Sequence, residues 1–131
     1  MSRAWFYEQL AEDAGFMATV PGGVHASTKL QKAPANKPFI MYRAIAHRPR
    51  GRGDDEDLTR EETFLVFVHD VPGSYIKVDE ILASLRTKFA NLKDSASGIA
   101  RCTWLEDSED FRDEDMGTVL RYARLTVRYL P

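Results

Sequence analysis

The residues best suited to chemistry are three histidines and one cysteine, and they are scattered along the chain. They are His25, His47, His69 and Cys102. Zinc sites place such residues at short, recurring spacings, and none of those spacings occurs here. We therefore expect no metal site.

Three further segments resemble parts of catalytic or binding motifs but lack decisive residues. The segment "VPGSYIK" has a serine after glycine but no G-x-S-x-G elbow. The run "DSEDFRDED" lacks the glycine and the closing glutamate of an EF-hand loop. Gly22 and Gly23 are not followed by the Lys-Ser/Thr pair of a phosphate-binding loop. The sequence therefore predicts neither an enzyme nor a cofactor site.

The strongest chemical signal is charge, which is concentrated in two segments of opposite sign. "HRPRGRGDDED", His47 to Asp57, opens with three arginines, and "EDSEDFRDEDMG", Glu106 to Gly117, has seven acids and one arginine. Each is expected as a long loop within a hairpin, from Arg48 to Glu61 and from Glu106 to Gly117, where loops usually have 2 to 5 residues. The candidate interface residues are Arg48, Arg50, Arg52, Asp54 and Asp55 in the first segment and Glu109, Asp110, Asp113, Glu114 and Asp115 in the second. The alternative is that both are solvated tips.

A second candidate surface lies on the last predicted strand, "TVLRYARLTVRYL". Its strict alternation places Tyr122, Arg124 and Arg128 on the face opposite to its apolar residues. We expect this open face to line a lumen or to contact a partner, and the alternative is a solvated face.

Two helices and four strands are predicted to position these surfaces. The helices extend from a Ser2 cap to Gly15 and from Tyr75 to Leu92, the latter with Ser74 as N-cap and an apolar stripe. Met17 to Pro38 is expected as a loop or a brief edge segment, because it contains three prolines and two glycines. The predicted strands are Phe39–His47, Glu62–Val71, Ile99–Asp107 and Thr118–Leu130. These elements predict one α+β domain over residues 1–131, in the order α-β-β-α-β-β, with an antiparallel four-stranded sheet and two helices on one face.

Composition and charge narrow the class of protein. The 131 residues are 44% hydrophobic and 29% charged, with a formal net charge of -2, which argues against general attraction to nucleic acid. Charge is nevertheless polarised: there are eight basic residues and three acids as far as Gly53, and ten basic residues and seventeen acids beyond it. A single cysteine fits a reducing compartment. Without an apolar leader or an 18-residue apolar run, we expect a cytoplasmic protein with no membrane partner.

The order of segments resembles that of the tail terminator proteins of long-tailed bacteriophages. It comprises an N-terminal helix, the Pro-rich "KAPANKP", the strand "FIMYR", a charged hairpin, the apolar "FLVFVHD", a Gly-Ser start to an amphipathic helix, and the closing "YARLTVRYLP". The resemblance covers nearly the whole chain. It implies a small α/β protein that forms a hexameric ring on the finished end of the tail tube, stops tube polymerisation and provides a surface for head-tail joining.

The resemblance also implies partners and a location. The partners are further copies of the chain, the tail tube protein, a head-completion or neck protein, and genomic DNA that passes through the ring without sequence readout. The location is the neck region of the virion tail, and the host cytoplasm during assembly. The resemblance implies no cofactor and no reaction. The length of both charged loops departs from the family, whose hairpin loops vary, so no functional residue carries over to them by position.

Physical reasoning gives the two loops a role. A ring joins two different patches head to tail, and a basic and an acidic segment of one chain form such a pair. Exposed ion pairs contribute about 0.2 to 1 kcal/mol each, so these charges would set register and encounter rate more than affinity. Two alternatives remain: a head-side neck completion protein, and a small nucleic-acid-binding α+β domain that uses Tyr122, Arg124 and Arg128.

Overall fold

The structure is a computed structural model that describes residues 2–27, 32–50 and 59–130. Its helices are α1 (Ser2–Ala11), α2 (Ala14–Met17) and α3 (Ile76–Phe89), and a 3-10 turn spans Ser95–Ser97. Its strands are β1 (Val24–Ala26), β2 (Phe39–Arg50), β3 (Thr59–Asp70), β4 (Ile99–Asp107), β5 (Phe111–Asp113) and β6 (Thr118–Tyr129). None of the helices in these ranges is long and apolar enough to cross a membrane.

All six strands belong to one mixed sheet, so the predicted four-stranded antiparallel sheet with two helices is wrong. The strand order is β1-β2-β3-β6-β4, and β5 pairs with β6 beside β4. β1 is parallel to β2, whereas the other neighbouring pairs are antiparallel. Of the two additional strands, β5 was not predicted and β1 was expected only as an alternative to a loop; each has three residues, which is too short for alternation to be visible.

β1 is the brief edge segment allowed between Met17 and Pro38, and backbone hydrogen bonds hold it in place. The amide of Gly22 donates to the carbonyl oxygen of Pro38 at 3.0 Å, and that of Ile40 donates to Gly23 at 2.9 Å. A Cβ atom at Gly22 would lie 2.3 Å from the carbonyl oxygen of Asn36, so only glycine fits this approach.

The helices differ from their predicted bounds mainly at the N-terminus. α1 ends at Ala11 and not at Gly15, because the Asp13 carboxylate accepts a hydrogen bond from the Phe16 amide at 3.0 Å and caps a separate short helix. In α3, five of the six residues of the predicted apolar stripe are buried, namely Val78, Ile81, Leu82, Leu85 and Phe89. The sixth, Leu92, lies beyond the end of the helix and is half-buried. Tyr75 occupies the N-cap position, and the Ser74 hydroxyl accepts from the Ile76 amide at 3.1 Å.

The core lies between the helices and one face of the sheet, with Phe6 of α1 near its centre. The Phe6 ring stacks on Phe64 of β3, with ring centroids 4.9 Å apart, and on Phe89 of α3 at 5.0 Å. On β6, the alternating residues Ala123, Leu125 and Val127 complete this layer. We call the opposite side of the sheet the outer face.

Candidate assembly interface

The two charged segments lie at opposite ends of the sheet. β2 and β3 pair as far as Arg50 and Thr59, at the end where Arg128 of β6 lies opposite Glu61. β5, within the acidic segment, pairs with Thr118 to Leu120 at the start of the same strand. Since β6 has 12 residues, the two ends are about 35 Å apart. Within one chain, the described parts of the two segments are therefore not brought together.

The prediction that the arginine segment is a loop from Arg48 to Glu61 is wrong. β2 continues to Arg50 and β3 begins at Thr59, so the two strands extend further than predicted. Arg48 and Arg50 belong to β2 by their backbone, but their side chains lie outside the described part of the structure. The candidates Arg52, Asp54 and Asp55 lie wholly outside the described residues.

The acidic segment is likewise not one open loop between two strands. β5 is anchored on both sides, because the Tyr122 amide donates to the Ser108 hydroxyl at 2.8 Å and the Tyr75 hydroxyl donates to the carbonyl oxygen of Phe111 at 2.8 Å. Further along, the Asp113 carboxylate accepts from the Met116 amide at 3.0 Å. These contacts hold the acidic side chains on an ordered support.

Arg121 ties the acidic segment to helix α3, and sequence reasoning missed this residue. Its Nη1 atom lies 2.7 Å from Oδ1 of Asp79, and its Nε atom donates to the carbonyl oxygen of Ser108 at 3.0 Å. The same Nε atom lies 3.7 Å from a carboxylate oxygen of Asp110. Only tertiary contacts bring these groups together, so spacing along the chain gave no signal for them.

The acidic candidates therefore differ in exposure and in the contacts that their carboxylates already make. Asp110 forms an ion pair with Arg121 but remains 62% exposed, and Asp113 is half-buried. The side chains of Glu109, Glu114 and Asp115 are exposed, and none has a hydrogen bond or ion pair to another described residue. These three carboxylates are the ones best placed to meet a cationic partner.

The outer face carries the second set of candidates, but it is only partly open. Tyr122 packs between Phe67 and Phe111, with ring centroids 5.6 and 5.9 Å away. The guanidinium of Arg43 sits 5.7 Å from the centre of the Phe67 ring. Because its two ring neighbours already contact it, Tyr122 is half-buried and offers less surface for stacking than predicted.

The two arginines predicted on this face have different surroundings. Arg124 is 41% exposed, and its Nε atom lies 3.4 Å from a carboxylate oxygen of Glu106 without the geometry of a hydrogen bond. Arg128 lies opposite Glu61 on β3 and Arg101 on β4. Their contact with a lumen or partner stays a prediction.

At the acidic end of the outer face, the buried His69 packs between neighbouring strands. The His69 ring stacks on Phe39, with centroids 4.7 Å apart and planes within 7°, and its Nδ1 atom is 2.7 Å from Oγ1 of Thr118. Burial lowers the pKa of His69 to about 4, and the nearby carboxylate of Asp113 opposes the shift. His69 is therefore neutral at pH 7 and supports the sheet as part of its packing.

The remaining candidate ligands do not converge either. Cys102 is buried in the core, and burial raises the pKa of its thiol to about 12, which keeps it protonated. The Nε2 atom of His25 is 2.7 Å from the carbonyl oxygen of Gly22. Within the described ranges, no group of three or more His, Cys, Asp or Glu residues is placed to hold a metal ion.

Comparisons with known proteins identify the fold. No protein-family model matches the chain, and no curated protein matches its sequence. Among solved structures, a chain of the virion of a native gene transfer agent (GTA) particle is similar, with a TM-score of 0.69 and 14% sequence identity. The similarity covers 94% of this chain and 90% of that chain. The two chains therefore share a fold over nearly their whole lengths.

Proposed function

We propose that the chain is a structural protein of a phage-type virion, and specifically a tail terminator. The observation that carries the proposal is the whole-length fold similarity to a chain of a gene transfer agent virion. The order of sequence segments resembles that of tail terminators over the same length. In this role the chain forms a ring of about six subunits on the finished tail tube, stops tube growth and receives the head.

The polarity of the subunit supports a ring with two different faces. Acidic side chains gather at the end of the sheet formed by β5, whereas Arg101 and Arg128 lie toward the other end, next to Glu61 of β3. If the strands lie roughly along the ring axis, every subunit presents the same charge at the same end. Such a ring has one acidic rim and one rim of mixed charge, which suits a protein that meets the tube on one side and a neck protein on the other.

Each proposed site has a role in this assembly. Arg48, Arg50 and Arg52 meet an acidic surface on the tail tube or on a neighbouring subunit. The acidic candidates are Glu109, Asp110, Asp113, Glu114 and Asp115, which another copy stacked end to end, or staggered along the strands, would bring to these arginines. Arg124 and Arg128 face the lumen, through which genomic DNA passes without sequence readout, or contact a partner.

The test is tube growth in the presence of the purified chain. Tubes of the corresponding tail tube protein are assembled with and without the chain, and their lengths are measured by negative-stain electron microscopy. We expect tubes to stop growing and to carry a ring at one end. Unchanged lengths with bare ends would contradict the proposal. Binding only to the head vertex would favour the neck completion protein, and a monomer that binds single-stranded DNA would favour the nucleic-acid-binding domain.

Charge exchange tests the site assignment separately. Reversal of Arg48, Arg50 and Arg52 to glutamate should block end binding, and reversal of the acidic segment in the same chain should partly restore it. A matched control reverses Lys77, Arg86 and Lys93, which are exposed on and after α3, and changes the net charge equally. Equal loss in the control would show that total charge, and not the arginine segment, governs binding.

A further inference from the structure

The two lateral edges of the sheet are β1 and β4, and the outward backbone groups of both edges are uncovered by any described segment over part of their length. At one end, Gly23 and Ser27 bond to β2, so the alternate residues Val24 and Ala26 turn their backbone groups away from it. At the other end, Cys102 of β4 bonds to Asn91 and Leu92, but among the described residues nothing pairs with that side of β4 from Thr103 to Asp107. Unpaired edges of this kind readily accept another strand.

The register of the sheet places these two edges at the same level. One continuous row of paired residues crosses the whole sheet from Ala26 through Tyr42, Val66 and Ala123 to Asp107. β1 runs in the same direction as β6, and β4 runs in the opposite direction. Two copies placed side by side in the same orientation would therefore join their free edges as an antiparallel pair.

The edge of β1 forms one wall of a groove whose other wall is helix α1. This groove has a volume of about 570 Å³ and an apolar lining that includes Tyr7, Val24 and Tyr42. Its lining includes the cationic side chain of Arg3 and the imidazole of His25, and no carboxylate lines it among the described residues. His25 donates from Nε2 to the Gly22 carbonyl oxygen, since a carbonyl can only accept, so its ring orientation is fixed.

The edge of β4 has the complementary features. The pairing of β4 with β6 is irregular between Trp104 and Glu106, and Leu105 at this bulge is 49% exposed. Glu106 and Asp107, which follow it, are both exposed. An apolar side chain followed by two acids at one edge thus matches an apolar groove lined by Arg3 at the other.

We infer that a second copy of this chain docks head to tail, with its Leu105–Asp107 edge against the Val24–Ala26 edge of the first. Leu105 enters the α1–β1 groove, and Arg3 meets Glu106 and Asp107. Because the two surfaces differ, repeated contacts close a ring when the rotation fits. The inference rests on the proposed function in one respect, since it supplies the lateral contact of the ring.

Disulfide trapping tests the contact even when it is weak. Equal amounts of an Ala26→Cys chain and an epitope-tagged Asp107→Cys chain are mixed and oxidised, and products are resolved by non-reducing electrophoresis. The native Cys102 is fully buried and does not compete. We expect the mixed dimer to make up well over the half that random pairing would give. A mixed dimer at or below that half overturns the inference.

Blocking one edge at a time tests the head-to-tail geometry. Ala4→Glu places bulk and negative charge in the groove, and Leu105→Glu removes the apolar side chain from the opposite edge. Neither variant alone should form a ring, whereas their mixture should stop at a one-to-one dimer, measured by native mass spectrometry. Ala14→Glu and Leu130→Glu, at exposed positions outside both edges, are the matched controls. Variants that assemble as far as the wild type overturn the contact.

Failure of the contact and failure of the proposed function give different results. If the trapping and blocking experiments fail while tubes are still capped, the contact is wrong and the terminator function stands. If the mixed dimer forms but tubes grow without limit, the contact holds and the terminator function is wrong.

Discussion

Acid should destabilise this protein through His69, and the size of the effect follows from the burial of the ring. Burial lowers the pKa of His69 from 6.5 to about 4. The folded protein keeps the ring neutral, whereas the unfolded chain binds a proton once the pH falls below about 6.5. The stabilisation is therefore complete above pH 6.5 and is lost as the pH falls toward 4. At about 1.4 kcal/mol per pH unit, the loss amounts to about 3 kcal/mol.

The assay is urea unfolding of the wild type and of His69→Asn between pH 7 and pH 4.5. Asparagine can keep a hydrogen bond to Thr118 from the position of Nδ1, but it does not titrate. Carboxylates such as Asp13 and Asp94, whose pKa values are lowered from 3.8 by hydrogen bonds from the Phe16 amide and the Trp5 indole, keep their stabilisation above about pH 4 and act equally in both proteins. The free energy of unfolding should therefore fall by about 2 to 3 kcal/mol more in the wild type. Equal losses would refute the assignment of His69 as a buried neutral ring.

Three further predictions concern the core, the edge strand and the outer face. Leu85→Ala should cost about 2 to 5 kcal/mol in urea unfolding, because the side chain is fully buried, and a cost below about 1 kcal/mol would contradict the packing of α3. Gly22→Ala should cost about 1 to 3 kcal/mol, since its Cβ would overlap backbone; an unchanged melting temperature would show that β1 is displaced easily. Arg124→Glu with Arg128→Glu should leave the circular dichroism spectrum unchanged but impair tail assembly or DNA passage, and an infectious double mutant with normal tail length would remove that site claim.

The long elements could be predicted from the sequence because apolar residues recur along them at the period of a helix or a strand. The stripe from Val78 to Phe89 fixes α3, and strict alternation fixes β6 within one residue. β5 was not predicted, and β1 was expected only as an alternative to a loop, because three residues display no period. The parallel pairing of β1 with β2 in particular depends on backbone hydrogen bonds of Gly22 and Gly23. In the sequence, this glycine pair indicates only a turn.

The charge pattern of the sequence located the candidate surfaces, but it did not predict their arrangement in the fold. Sequence alone makes the arginine and acidic segments an obvious pair, whereas the register of β3 with β6 places them at opposite ends of the sheet. A direct contact between them must therefore come from another copy, stacked or staggered along the strands. Arg121 and Ser108, which hold the acidic end together, have side chains of common types at unremarkable spacing, so only the folded chain identifies them.

The anchoring of the acidic end changes how its charges would act in assembly. A flexible acidic loop loses conformational entropy when it binds, but β5 is already fixed by Ser108, Tyr75 and Arg121. The backbone that carries the exposed Glu109 and Glu114 is therefore held in position before a partner arrives. Pre-organised charge on a surface raises the association rate most at low salt and loses that advantage when salt screens it. Ring or tube-end association should accordingly slow with added salt while dissociation changes little, and a dissociation rate that carries most of the salt dependence would contradict this role.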